Sequence, residues 1–247
     1  LKANLKADQI DLDPIAALFL QPLSGLLSTD IDLVFPFDRP ETASGRLRLG
    51  VFNGKIQGID LAKAGVEAAL ADGWVHVAAL EAASGRSRLT VTEAAAPFRH
   101  LLDGAWEYLL QELSGRFALS SEDLPQLLKI AGLFAAAPPS RVPDHRLELS
   151  GRFDAGYLSI PHAGLTSGSS RILLQNLETR LAPATQDTPL KGDLRLDLPD
   201  LEVLSRIFPL FSSSGSVRAD ATIGGTLGQP EADATLGAEN LKFEGLH

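Results

Sequence analysis

Few residues in this chain have the type and spacing that catalysis requires. Gly50-Val51-Phe52-Asn53-Gly54-Lys55-Ile56 has the ingredients of a phosphate-binding loop, in which backbone amides between glycines cradle phosphate and a Lys follows. One residue too few separates the glycines, and Ile56 stands where a Ser or Thr would hold Mg²⁺. The segment reads better as a hairpin with its turn at Asn53-Gly54, a pair that tolerates positive φ. Gly164-Leu165-Thr166-Ser167-Gly168 is not a nucleophile elbow, because the Ser abuts the second Gly. His76, His100, His145, His162 and His247 form no pair at metal-ligand spacing, and there is no Cys, so neither a metal site nor thiol chemistry is expected. The neighbouring carboxylates Glu122-Asp123 fall at a predicted helix start, where they complement the macrodipole. Asp13-Pro14 reads as an N-cap and first helical residue. The expectation is a chain that binds and is not an enzyme, with no cofactor.

Bulk charge narrows what it binds. The net charge is −9, and the Arg residues are scattered singly beside acids, so the basic patch that nucleic acid demands is absent. The remaining chemistry is aliphatic: 45% of residues are hydrophobic but only 6% aromatic. Leu, Val, Ile and Ala supply a surface that shelters hydrocarbon without directional bonds, at about 0.8 kcal/mol per buried methylene.

The elements that position these residues are strands. Leu1, Ala3, Leu5 and Ala7 alternate with Lys2, Asn4, Lys6 and Asp8. Leu47, Leu49 and Val51 alternate with Arg46, Arg48 and Gly50, and Leu147, Leu149 and Phe153 with Arg146, Glu148 and Arg152. Leu194, Leu196 and Leu198 alternate with Asp193, Arg195 and Asp197, and Val217 and Ile223 lie in a similar run with Arg218 and Asp220. Period-2 alternation gives each strand one apolar and one solvated face. Less regular strands are predicted at 25–34, 54–61, 64–71, 73–81, 85–92, 115–120, 156–161, 171–181 and 231–238. These add Leu27, Ile31, Val75, Val77 and Leu236 to the candidate apolar surface. Helical spacing interrupts the pattern at about 12–21, 95–112, 122–135 and 200–211, with a loop over 135–146.

An internal plan recurs. Three alternating strands, beginning at Leu1, Leu113 and Leu190, each end in Asp-Leu: Asp11-Leu12, Asp123-Leu124 and Asp200-Leu201. A short apolar helix and then a Ser-Gly strand are predicted to follow each, at Ser24-Gly25, Ser150-Gly151 and Ser214-Gly215. The copies are unevenly spaced, which disfavours a solenoid of fixed period.

The segment from Gly215 to Phe243 carries the most specific likeness. An alternating strand, then Gly225-Thr226-Leu227-Gly228-Gln229-Pro230, then a strand ending in Asn240-Leu241, resembles the TamB family of the AsmA-like repeating β-groove proteins. Lys191-Gly192-Asp193-Leu194 and Ser44-Gly45-Arg46-Leu47 fit the same style, whereas 95–146, helical and Ala/Pro-rich, departs from it as an insertion. The resemblance implies a mainly β fold over 1–247. It would be one continuous, long, curved antiparallel sheet forming a taco-like groove with an apolar interior, plus a few short amphipathic helices. It also implies a periplasmic segment of an inner-membrane-anchored bridge that carries phospholipid across a diderm envelope. The acyl chains would be the ligand, and an outer-membrane barrel of the TamA/BamA type would be met through regions outside this chain.

The chain contains no Met and opens inside an alternating pattern, so it is expected to be an internal piece of a longer protein, with any signal or anchor elsewhere. Within it no run reaches the roughly 18 uncharged apolar residues of a membrane span. Two other readings stand beside the lipid groove. One is a periplasmic scaffold or chaperone module that offers strand edges to outer-membrane clients. The other is an adhesive β-domain whose apolar faces fill its own core.

Overall fold

The computed structural model of the chain describes residues 2–12, 23–36, 38–39, 42–56, 59–123, 145–202 and 212–244. Thirteen strands run in chain order as one unclosed antiparallel sheet, each beside its sequence neighbours. They are β1 (Lys2–Asp11), β2 (Leu23–Val34), β3 (Ser44–Ile56), β4 (Ile59–Ala71), β5 (Trp74–Ser84), β6 (Ser87–Pro97), β7 (Ser114–Ser121), β8 (His145–Asp154), β9 (Tyr157–Ser167), β10 (Ser170–Arg180), β11 (Leu190–Leu198), β12 (Ser212–Gly225) and β13 (Pro230–Glu244). Two helices, α1 (Phe98–Asp103) and α2 (Trp106–Glu112), lie between β6 and β7. The chain divides into two compact units. The first is Leu1–Ala118 with Arg152–Tyr157 and Leu181–Pro183; the second is Leu119–Gly151, Leu158–Arg180 and Ala184–His247.

The Asn53-Gly54 turn is not formed. β3 continues through both residues to Ile56, and β4 begins at Ile59, so 54–61 is no strand of its own and 64–71 is the latter part of β4. Ser24 pairs with Lys55 and Leu26 with Phe52, which leaves Gly25 alone opposite Asn53-Gly54. This is a β-bulge, with Asn53 at φ 48°. The property that suits Asn to a tight turn, tolerance of the left-handed region, suits it equally to a bulge.

The 95–112 segment also departs from expectation. Residues 95–97 close β6, and the helical part breaks into two short helices at Gly104, which takes the left-handed C-cap at φ 64°. Glu112 on α2 draws them together by accepting hydrogen bonds from α1: Arg99 Nη2 lies 3.2 Å from its Oε1, and His100 Nε2 lies 3.3 Å away. β8 begins at His145, inside the stretch expected as loop, and β9 and β13 run beyond their expected ends. Apart from their first residues, the other three predicted helices fall almost wholly outside the described residues.

The internal plan has a physical counterpart at two of its three copies. The N–H of Leu12 donates to the carbonyl of Gly25, and that of Leu201 donates to the carbonyl of Gly215, each at 2.9 Å. Both leucines are 4% exposed. Both glycines have positive φ, 117° and 108°. A Cβ would come within 2.5 Å of the Gly54 Cα at position 25 and within 2.6 Å of the Asn240 carbonyl oxygen at position 215. Gly215 also faces a register shift in its partner strand, at Asn240-Leu241. Asp-Leu and Ser-Gly thus mark the two sides of one junction, where a strand's end is tied to a glycine opposite a bulge. The third copy, at Leu124, lies outside the described residues.

Gly25→Ala and Gly215→Ala are each expected to cost about 2–3 kcal/mol, from strained φ and backbone overlap. Gly224→Ala, with nothing within 4 Å of where its methyl would lie and no positive φ, is expected to be neutral or slightly stabilising. Urea unfolding midpoints compare the three directly.

Candidate functional site

Register decides which side chains share a face. In the first unit, one row crosses six strands through Ala7, Thr29, Leu49, Val66, Leu80 and Val91. The next runs Leu5, Ile31, Leu47, Ala68, Val77 and Ala94. A third links Leu33, Gly45, Leu70, Val75 and Ala96, and a fourth Leu27, Val51, Ala64, Ala82 and Leu89. Of the candidates expected in this unit, Leu27, Ile31, Leu47, Leu49, Val51, Val75 and Val77 all fall on this one face.

The second unit repeats the arrangement. Ile172, Leu196, Ala219 and Leu236 form one row, and Leu174, Leu194, Ala221 and Ala234 form another. Val217 pairs with Leu198 and Ala238, and Ile223 with Gly192 and Ala232, on the same side. Leu147 and Leu149 sit two apart on β8 in this unit, both half-buried. Phe153, at the far end of that strand, belongs to the first unit, where its ring stacks on Phe117 with centroids 5.0 Å apart.

These faces are not sealed as a sandwich core is. Leu27, Ile31, Leu47, Leu49, Val51, Leu194, Leu196, Val217 and Ile223 are all half-buried. Leu5 is 50% exposed and Leu236 66%. Among the described residues, half of the buried hydrophobic positions are alanines, and the largest side chain buried almost completely is that of Ser121. A filled core buries its large aliphatics almost fully. Here each side chain is shielded chiefly by its neighbours along and across the strands.

The opposite face carries the charges, and one of its rows alternates in sign. Lys6, Asp30, Arg48 and Glu67 stand directly across from one another on β1 to β4. Arg48 Nη2 donates to Glu67 Oε1 at 2.7 Å, and Lys6 Nζ lies 3.7 Å from Asp30. In the second unit Arg195 bonds Asp220, and Arg218 Nη2 lies 3.2 Å from Asp197. The hydrogen bond to Glu67, then its charge, holds the Arg48 guanidinium above its ordinary range; Asp220 does the same for Arg195.

Sequence reasoning missed much of the apolar face: Val66, Ala68, Leu70, Leu80, Leu89, Val91, Ile172 and Leu174. In β4 to β6 the alternation is blurred by paired alanines such as Ala68-Ala69 and Ala82-Ala83, either of which suits either face. A register shift compounds this. Glu67 pairs with Ala79 and Ala68 with Val77, so Ala78 is an extra residue that moves Leu80 and Ala82 onto the face of Val75 and Val77. Among the described residues no group of His, Asp or Glu comes together as a metal site, and no helix is long and apolar enough to cross a membrane.

If the face is open, truncation there is mild. Leu47→Ala and Leu49→Ala are each expected to cost about 1 kcal/mol, below the ~2–5 kcal/mol of a filled core. Leu201→Ala, at a buried junction, is expected to cost about 2–4 kcal/mol. Urea unfolding separates the two classes, and equal costs in the upper range would contradict an open face.

No family model, no curated protein and no solved structure matches this chain.

Proposed function

We propose that the chain is a segment of a bridge that carries phospholipid between the two membranes of a diderm bacterial envelope, its apolar face shielding acyl chains in the periplasm. The observation that carries this reading is the mainly apolar face of each unit, on which Leu, Ile and Val side chains stay only half-buried. A soluble protein rarely leaves so extended an apolar surface without something to cover it. The side chains present suit hydrocarbon. They are aliphatic, they offer no directional bond, and each methylene sheltered is worth about 0.8 kcal/mol whichever lipid brings it. A surface with no preferred register also lets a chain slide along it.

The likeness of residues 215–243 to the TamB family supports the same reading and suggests the wider context. This would be a periplasmic section of an inner-membrane-anchored protein that reaches toward an outer-membrane barrel of the TamA/BamA type. The groove with an apolar interior, its continuity over the whole chain and the amphipathic helices belong to this proposal. So does the absence of catalysis: solvating a lipid tail needs surface and not a reacting group.

The test is photocrosslinking. A benzophenone side chain at Leu47, Leu149 or Leu196 is expected to capture phospholipid in cells, and one at Arg46 or Arg195 is not. Mass spectrometry of the purified chain should recover bound phospholipid. Equal labelling from both faces would overturn the reading. Capture of outer-membrane protein segments without lipid would favour the scaffold alternative instead.

A further inference from the structure

Two glycines stand directly opposite each other on the charged face of the first unit, Gly50 on β3 and Gly65 on β4. Ser28 on β2 and Glu81 on β5 complete their row. Longer side chains flank it on both sides. Asp30, Arg48 and Glu67 stand in the row on one side, and Phe52 and Lys63 pair on the other. With no side chains at its centre, the row becomes the floor of a hollow of about 700 Å³. That is within the size range of small-molecule sites.

Phe52 gives the hollow an aromatic surface. A Cβ on Gly50 would lie 3.2 Å from Phe52 Cε2 and 3.4 Å from Cζ, so the ring leans back along β3 over the glycine. The residue is still 39% exposed, on the face that the aliphatic side chains do not use. The walls nearly cancel in charge, because each cation faces an acid. Lys6 Nζ lies 3.7 Å from Asp30, Arg48 Nη2 donates to Glu67 Oε1 at 2.7 Å, and Lys63 Nζ donates to Glu81 Oε2 at 3.2 Å. Asp8, also at the hollow, accepts from the Ser28 hydroxyl.

This chemistry favours one class of ligand. A phosphate gains little from cations that already face carboxylates, and the near-zero net charge draws neither anions nor cations. A neutral molecule rich in hydroxyls matches the walls, since a hydroxyl donates to a carboxylate and accepts from an ammonium or guanidinium. A pyranose ring adds a patch of C–H groups, which suits the apolar face of an aromatic ring.

We propose that the hollow over Gly50 and Gly65 binds a neutral sugar unit of an oligosaccharide. Its C–H patch rests on Phe52, and its hydroxyls bond to Arg48, Lys63, Glu67 and Glu81. The site is on the face opposite the aliphatic one, so the inference is independent of what that face binds.

The test uses the whole chain with maltotetraose, cellotetraose and chitotetraose, and phosphoethanolamine as the ionic control. Saturation-transfer NMR is expected to show at least one sugar binding with a Kd on the order of 1 mM, with transfer strongest at ring C–H protons. Phe52→Ala is expected to weaken that binding about tenfold, and Phe52→Trp to retain it. Gly65→Thr fills the floor without straining the strand. A Cβ there meets only the Leu49 carbonyl oxygen, at 3.4 Å, and φ is not positive. It is expected to weaken sugar binding about tenfold while the urea midpoint holds or rises. Binding of none of the sugars, sugar binding untouched by Phe52→Ala or by Gly65→Thr, or tighter binding of phosphoethanolamine overturns the proposal.

Discussion

The apolar face depends on one constraint, the preservation of side-chain parity from strand to strand. A strand's side chains alternate with period two, so a single-residue slip between neighbours would send every Leu and Val to the charged side. Thirteen strands in succession give many chances for such a slip. Extra residues do occur, at Ala78 in β5, at Asn53 in β3 and near Asn240 in β13. At the first two, the pairing with the following strand stays regular, so β6 and β4 carry the same offset and the rows resume on the same faces. Gly25 and Gly215 make room at the second and third, because only a residue without Cβ fits opposite the bulge.

The charged face serves the same end. Its ion pairs are exposed, and pairs of this kind contribute little to stability. Their arrangement is nonetheless ordered: Arg195 faces Asp220 and Asp197 faces Arg218, whereas a shift of two residues would set Arg195 opposite Arg218 or Asp197 opposite Asp220. The two faces agree on one register for different reasons, one through aliphatic contact and one through charge. Their agreement holds the pairing while the aliphatic side stays only half-buried.

How much of this is legible in the chain varies with the residues. The alternation around Leu47, Leu194 and Val217 identifies both the strands and the face, because charged residues mark the other side unambiguously. In β4 to β6 alanine doublets carry no such mark. Leu80 and Ala82 share a face with Val75 and Val77 only because Ala78 is extra, which appears once pairing partners are known. Asn53-Gly54 shows the same limit. The left-handed tendency of Asn is evident, but turn and bulge use it alike, and β4 decides between them by pairing through Gly54. Helical spacing over 95–112 marks a helical stretch, yet its first residues belong to β6, where Pro97 pairs with Trp74. The repeated Asp-Leu and Ser-Gly signals are visible without any structure, though not their connection by a hydrogen bond from Leu to Gly.

By itself the sequence determined the class of the molecule: antiparallel strands with one aliphatic and one charged face, and a recurring junction. These follow from composition and period, which are local properties. Only the tertiary structure decided which alanines join the apolar face and that the large aliphatics on it stay half-buried. Those outcomes depend on which residue stands opposite which across strands far apart in the chain. The free energy that selects a register comes from the partner strand, and a strand's own residues do not contain it.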